Sequence, residues 1–505
     1  MEYLLGFDAG TTSFKCVLYD TSGEAVASGG VEYELSSPKR GYIEFPAPRY
    51  FEMMAGLVRD VTAKSGVSPK DIVSMAVSSQ GETFICLDAG GNPAHDAIVW
   101  LDNRSVREAE ELKARFAPRE VYEASGQCEM TSTWTATKIL WLKRNMPDVF
   151  RRTDKFLLLE DYLMFMLTGV YATERSLHCS SLLYDMRTGG WWGEMLDHLG
   201  VSEERLPRLF DPGDAVGNVK PSVAPALGLA ESTLVIAGAM DQMCALIGSG
   251  NIKAGGVSES TGSCLAVCAT LDRMPEYRRD VRITCHSHAV GGMYVLMYWA
   301  QTAGMVYKWL KEKFYSNECK AAAQGDAGVF ELMDIEAAGV SPGANGLIFL
   351  PHLEGAQYPE YNFDARGVLF GLTLAHGRPE INRAALESVA YTLRTITDDV
   401  KALGIKIPSI CASGGGASSA LWCSIKASVA GIPVVTSGTG QPACLGAAIL
   451  AGKGACVYPS VEWACSRLVR YGKEYKPVGE WAGAYDEGYE RFVKLYRLLV
   501  PMYGE

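Results

Sequence analysis

Leu4-Leu5-Gly6-Phe7-Asp8-Ala9-Gly10-Thr11-Thr12-Ser13-Phe14-Lys15-Cys16-Val17-Leu18-Tyr19 opens the chain. Leu4 to Phe7 is a short apolar run, Phe14 to Tyr19 is apolar and rich in β formers, and the six residues between them are small and polar. This spacing predicts two strands joined by a tight turn, and Asp20-Thr21-Ser22-Gly23 turns the chain into a third. A turn of this composition directs several N–H groups and hydroxyls into one concavity, which suits a phosphate. Asp8, at the strand end, can hold Mg²⁺ through its water shell, and Lys15 adds positive charge. Taken alone the stretch also reads as an ordinary hairpin turn.

The flanking sequence alternates strand and helix. Tyr50 to Lys64 carries Phe51, Met54, Leu57, Val58 and Val61 on one helical stripe, and Ile72 to Val77 reads as a buried strand followed by Ser78-Ser79-Gln80-Gly81-Glu82-Thr83. Residues 104–232 read as mostly helical, with helices at Thr135 to Arg144, Asp161 to Leu167 and Trp191 to Leu199. Leu234 to Ala237 is again a buried strand, with Gly238-Ala239-Met240-Asp241-Gln242 at its end and a helix from Met243. The opening pattern then restarts: Gly256 to Glu259, the turn Ser260-Thr261-Gly262-Ser263, and Cys264 to Ala269. A structural repeat of two α/β halves follows, 1–248 and 249–505. Thr261-Gly262 is then a second phosphate turn, which with the first would clamp a polyphosphate between the two domains. Further on, Ile407 to Ala412 reads as a strand, and Gly414-Gly415-Gly416-Ala417-Ser418 opens a helix. Such a loop lets a flat ring or a phosphate approach the backbone.

Composition narrows the class. The 505 residues carry 47 Lys and Arg against 58 Asp and Glu, a net charge of −11, which argues against a nucleic-acid partner. A hydrophobic fraction of 48% with 21% charged residues is that of a globular protein rather than a disordered one. The chain lacks the apolar core of a signal peptide, and no run reaches the roughly 18 apolar residues of a membrane span. A cytoplasmic location without membrane contact is therefore expected. The 14 cysteines are scattered without a C-x-x-C pair, so free, mostly buried thiols are expected rather than zinc ligands. His178, His286, His288, His352 and His376 also lack metal-ligand spacing, Trp191-Trp192 reads as packing, and Glu108 to Glu111 reads as a solvated helix face. Neither a P-loop nor a G-x-G-x-x-G fingerprint is present.

The phosphate turn, its repeat and the glycine loop follow the order used by actin-like ATPases, and the chain resembles the FGGY family of carbohydrate kinases within that superfamily. Three further segments carry the resemblance: Ala97 to Arg104, similar to I-x-W-x-D-x-R; Asp364 to Thr373, similar to D-x-A-R-G-x-x-x-G-L-T; and Gly414 to Trp422 with Pro433-Val434 and Ala443 to Ala448, similar to the family's adenosine-binding region. The resemblance implies two actin-like ATPase (ribonuclease H-like) domains around a central cleft. It implies ATP and Mg²⁺ as cofactors, a small sugar or polyol as partner, and a homodimer. By position, Gly10, Thr11, Thr12, Ser13 and Lys15 would meet the ATP phosphates, with Asp8 near Mg²⁺. Thr261 and Gly262 would form the second phosphate turn, Gly304 and Lys308 would line the nucleotide, and Gly415 and Gly416 would pack on the adenosine. Asp241 falls at the catalytic base. Gln80, Gly81, Glu82, Asp241 and Gln242 would face the substrate. The chemistry agrees for Asp241: phosphoryl transfer to a hydroxyl needs a proton acceptor, and a carboxylate at a strand end supplies one. Capping of the helix from Met243 is its structural alternative.

Gln80-Gly81-Glu82-Thr83 resembles the Q-R-E-T of glycerol kinases more than the Q-M-H-G of xylulose kinases, and Asp241-Gln242 is also the glycerol-kinase pair. Gly81, however, stands in place of the arginine and Thr133 in place of a tyrosine, while Trp134 is either an aromatic wall or core. A pocket enlarged in this way is expected to take a neutral ketose such as xylulose, or a polyol, of about four to six carbons. Glycerol is the alternative substrate. A non-enzymatic actin-like ATPase or a sugar sensor is the alternative class, disfavoured because Asp8, Glu82, Asp102, Arg104 and Asp241-Gln242 together fit a working cleft.

Overall fold

The computed structural model of the chain describes residues 1–279, 283–322, 328–358 and 360–504. It resolves into two compact units, each built on a mixed sheet. One comprises Met1–Ile252, Asp272–Val295 and Thr439–Val469, the other Lys253–Leu271, Leu296–Gly438 and Arg470–Glu505.

In the first unit a six-stranded sheet runs in the order Ala215–Asn218, Leu234–Met240, Ile72–Ser79, Tyr3–Ala9, Ser13–Asp20, Ala25–Glu32. Tyr3–Ala9 pairs antiparallel with Ser13–Asp20 and parallel with Ile72–Ser79, which is itself parallel to Leu234–Met240. From Leu4 to Phe7 the first strand carries no charged side chain, because both of its faces are covered. Leu5, Phe7 and Ala9 join a buried cluster with Tyr50, Met54 and Val58 of the helix Ala47–Ser65. On the other face the chain approaches the helix Pro442–Gly454, and glycine is required at the contacts. A Cβ at Gly6 would lie 1.9 Å from the Cys444 carbonyl oxygen, one at Gly446 1.9 Å from that of Cys244, and one at Gly248 1.9 Å from that of Pro442. This backbone-on-backbone seam explains a difference from the expected division. The chain first crosses to the second unit close to 248, but residues 272–295 and 439–469 return to the first. Ala443 to Ala448, read from the sequence as part of an adenosine-binding region, lies in that seam.

The second unit repeats the motif. Val257–Thr261 pairs antiparallel with Leu265–Leu271 on one side and parallel with Ile410–Ser413 on the other, and Ile410–Ser413 is parallel to Val434–Ser437. Both units therefore carry a hairpin whose first strand is continued by two parallel strands, which is the repeat expected from the sequence.

Differences are local. Trp191 belongs to a short strand, Gly190–Trp191, paired with Tyr184–Asp185, and the helix begins only at Gly193. The mostly helical stretch also contains the strand Thr153–Leu158, paired with Phe84–Asp88. Its run of leucines has no period that separates strand from helix. Glu108 is buried, with Arg144 at 3.8 Å, whereas Glu110 is solvated as expected. All 14 cysteines are free, and Cys456 alone is exposed. Among the described residues no helix is long and apolar enough to cross a membrane.

Gly446→Ala is expected to destabilise the protein by about 1–3 kcal/mol, as overpacking of a closed interior does. Urea denaturation checks this; an unchanged midpoint would show that the seam opens at no cost.

Candidate active site

Strand order brings the expected residues of the first unit to one sheet edge. Asp8 lies at the end of Tyr3–Ala9, Gln80 to Glu82 follow the end of Ile72–Ser79, and Asp241 follows Leu234–Met240. These are three neighbouring parallel strands, so their carboxyl ends are adjacent.

The Asp8–Ser13 turn is held by a network of side chains. The Gly10 carbonyl accepts from the Tyr33 hydroxyl at 2.7 Å and from Gln80 Nε2 at 3.3 Å, and the Gln80 amide donates to the Ala9 carbonyl at 3.0 Å. Gln80 Oε1 accepts from the Thr83 hydroxyl at 3.0 Å. Thr83 Oγ1 in turn accepts the Trp100 amide, while the Trp100 indole N–H donates to Thr11 Oγ1 at 2.9 Å. Gln80 thus uses both ends of its side chain to lock the Asp8–Ser13 turn onto its own. Tyr33 and Trp100 are additions to the sequence-derived set. Trp100 stood within the Ala97 to Arg104 segment, whereas nothing in the sequence marked Tyr33.

Three carboxyl groups then share the site. Ser78 Oγ donates to Asp8 Oδ1 at 2.9 Å, and Lys15 faces Asp8 across the hairpin. Burial raises the Asp8 pKa, against the lowering effect of Ser78 and Lys15. Asp241 is pushed up to about 7, first by burial, then by the negative charges of Asp8 and Glu82. One of its oxygens accepts the Gln242 amide at 2.6 Å; it does not cap Met243 or the residues beyond, and Met240 occupies the N-cap position. Glu82 has a left-handed backbone, φ 56°, which turns its side chain away from the strand direction. Burial raises its pKa, and the Ser180 hydroxyl and Lys138 oppose the shift. Lys138 is fully buried, donates to the Val99 carbonyl at 3.1 Å, and has its pKa lowered by burial. The sequence signalled it only as a lysine on an apolar helix.

Three expectations about the pocket change. A Cβ on Gly81 would meet Met240 Sδ and Ser180 Oγ in ordinary van der Waals contact, each at 3.4 Å, so these two side chains border the space expected there. Trp134 is half-buried, and its indole N–H is tied to the Glu129 carbonyl at 2.7 Å, which fits a packing role. Asp102 is fully buried and accepts from the Ile43 and Arg104 amides and from the Arg104 guanidinium. Arg104 in turn pairs with Glu44 and covers the Tyr42 ring, so this pair braces the loop rather than facing a ligand.

In the second unit, Thr261, Gly262 and Gly414 to Gly416 also share a sheet edge, because Val257–Thr261 and Ile410–Ser413 are parallel neighbours. A Cβ at Gly416 would lie 2.7 Å from Thr261 Cβ, and one at Gly304 2.2 Å from the Gly262 carbonyl oxygen, so both glycines serve close packing around the turn. Gly415 has open space at its Cβ position, and Lys308 is exposed, 3.8 Å from Glu312. The Thr261 hydroxyl is committed: it donates to Glu259 at 2.6 Å and accepts from Lys426 at 2.7 Å. Lys426 also pairs with Glu259 at 2.7 Å, and both side chains are completely buried. This ion pair, absent from the sequence reading, anchors the turn from beneath.

Two sheet-based domains, each with a small-residue turn at the same end of its sheet, are the architecture of a sugar phosphotransferase of the actin-like ATPase type. The chain belongs to the FGGY family of carbohydrate kinases: residues 3–248 match its N-terminal domain and residues 261–455 its C-terminal domain. It is 28% identical to a xylulose kinase of Bacillus subtilis over 98% of this chain and 97% of that one. It is 27% identical to a gluconokinase of the same organism over 100% and 97%. Among solved structures, a ligand-bound xylulose kinase from Lactobacillus acidophilus superposes with a TM-score of 0.90 at 26% identity, covering 100% of this chain and 99% of that one. A gluconate kinase from the same organism gives 0.90 at 27% over the same shares. The protein is thus an ATP-dependent sugar kinase.

Lys426→Met is expected to destabilise the protein by about 3–5 kcal/mol, because Glu259 is left charged and unpaired in the interior. The double change Lys426→Met with Glu259→Met is expected to recover most of that loss. Denaturation of the three proteins checks it; additive losses would show that the two groups are not coupled.

Proposed function

We propose that this kinase phosphorylates a hydroxyl of a neutral ketose or polyol, with Asp241 as the general base. The observation that carries the proposal is the convergence of Asp8, Glu82 and Asp241 at three adjacent strand ends, with Asp241 poised near neutrality at about 7. A base with such a pKa is about half deprotonated at neutral pH and takes up a proton readily as the hydroxyl attacks. The relatives divide between a ketose and a sugar acid. The charge of the site favours the ketose, since a sugar acid would bring a further carboxylate beside Glu82 and Asp241. The xylulose-kinase-like reading is therefore preferred over the gluconokinase-like one, and over the glycerol one because these relatives, aligned along nearly the whole chain, are named xylulose kinase and gluconokinase. The side-chain amide of Gln242, without a hydrogen bond among the described residues, is free to orient a substrate hydroxyl.

Asp8 fits Mg²⁺: one carboxylate oxygen accepts from Ser78, the other has no hydrogen bond to protein among the described residues, and burial disfavours a bare charge there. A Mg²⁺ ion bound with ATP neutralises charge on the phosphates. The Thr11 and Thr12 region of the locked turn is placed to meet phosphate oxygens, with Lys15 beside Asp8.

Asp241→Asn is expected to lower kcat by about 10²–10⁴-fold while leaving ATP binding intact. Retention of more than a tenth of the wild-type rate excludes Asp241 as the base. The wild-type kcat/KM is expected to rise as pH increases through about 7, because below that value Asp241 holds the proton it has to lose before it can accept another. Glu82→Gln removes a negative neighbour, which lowers the Asp241 pKa and moves this limb to lower pH. ADP release across ketoses and polyols of increasing length, with gluconate and glycerol included, tests the substrate. A neutral ketose or longer polyol is expected to exceed gluconate in kcat/KM by at least about tenfold, and gluconate as the best substrate would overturn the charge argument.

A further inference from the structure

The strand that delivers Asp241 leaves its ladder just before it ends. Leu234, Val235 and Ile236 pair with Ser74, Met75 and Ala76; the register then shifts, and Ala239 and Met240 pair with Ser78 and Ser79. Ala237 and Gly238 stand against Val77 alone, which is a bulge. A Cβ on Gly238 would lie 1.7 Å from the Val77 carbonyl oxygen, so the bulge closes only with glycine.

Two amides are taken up by side chains rather than by the neighbouring strand. The Gly238 amide donates to Glu160 Oε1 at 3.1 Å, and the Met240 amide to Ser176 Oγ at 3.3 Å. Ser176 Oγ in turn donates to Glu174 Oε1 at 2.8 Å, and Glu174 also accepts the Ser176 and Leu177 amides, each at 2.6 Å. Glu160, Glu174 and Ser176 are all completely buried. Burial raises the Glu174 pKa, and its three hydrogen-bond donors oppose the shift. Glu160 has one donor and an Oε2 with no partner among the described residues. Burial, and after it the nearby Glu174 and Asp161, raise its pKa well above the usual carboxylate range.

We infer that Glu160 and Ser176, the latter backed by Glu174, are positioning residues that fix the bulged end of the Leu234–Met240 strand and thereby the direction in which the Asp241 carboxylate enters the site. They act through the backbone of Gly238 to Met240. The inference rests on the reading of Asp241 as the base. Misplacement of a base by even about 1 Å costs on the order of a hundredfold in rate, so two hydrogen bonds at the strand end bear directly on turnover.

The test compares Ser176→Ala, Glu160→Leu, Glu160→Gln and Asp241→Asn in the full-length enzyme, with kcat and both KM values measured on the best substrate of the sugar panel. Ser176→Ala and Glu160→Leu are expected to lower kcat by at least about tenfold, with KM for ATP and sugar within about twofold of wild type. Glu160→Gln, whose amide oxygen can accept the Gly238 N–H as the carboxyl oxygen does, is expected to recover most of the rate lost in Glu160→Leu. If Glu160→Leu fails to fold, Ser176→Ala, which loses a single oxygen, decides alone. The inference is overturned if Ser176→Ala keeps more than half of the wild-type kcat, or if Glu160→Gln is as slow as a folded Glu160→Leu. It is likewise overturned if the losses appear in KM instead of kcat. An active Asp241→Asn would remove the base itself. An inactive Asp241→Asn beside a fully active Ser176→Ala would remove only the positioning role.

Discussion

Parallel pairing of Tyr3–Ala9 with Ile72–Ser79, and of Ile72–Ser79 with Leu234–Met240, is the constraint on which the site depends. Neighbouring strands lie about 4.8 Å apart, so any residues that terminate three of them are held within reach of one another. Asp8, Glu82 and Asp241 occupy those ends, and their mutual repulsion is the electrical property of the site. Burial first, and then this repulsion, raise the Asp241 pKa toward neutrality, and the same charges disfavour a sugar that brings a negative charge of its own.

A sheet edge built around three acids requires support, and hydrogen bonds among protein groups supply it. Gln80, Tyr33, Thr83 and Trp100 tie the phosphate turn to the next strand end by hydrogen bonds. Glu160 and Ser176 hold the amides displaced by the bulge before Asp241. In the second unit the buried pair Glu259–Lys426 takes the Thr261 hydroxyl. In each case a polar group within a dry interior fixes a turn in one conformation, which apolar packing alone does less specifically.

Glycine has a comparable part in the fold. Gly6, Gly248 and Gly446 allow Pro442–Gly454 to lie directly on the first strand and on the helix Asp241–Gly248. That contact returns a late segment of the chain to the first unit. Sequence order therefore does not divide the molecule as 1–248 and 249–505, even though the two family domains are matched in that order.

The sequence by itself determined the alternation of strands and helices, the two hairpin turns, the internal repeat and the family. These are written in local patterns: apolar runs, small polar turns, and motifs such as Asp8 to Ser13 and Gly414 to Ser418. It also placed Asp8 as a candidate, because a strand end is legible where an apolar run stops, while Glu82 and Asp241 came from the family resemblance. Tertiary structure alone decided what surrounds them. That Gly81 faces Met240 and Ser180, that Arg104 pairs with Glu44, and that the Thr261 hydroxyl belongs to Lys426 are pairings between residues 60 to 165 positions apart. No local pattern encodes such pairs, since the partner of a buried polar group is set by which elements the sheet order and the glycine seams bring together.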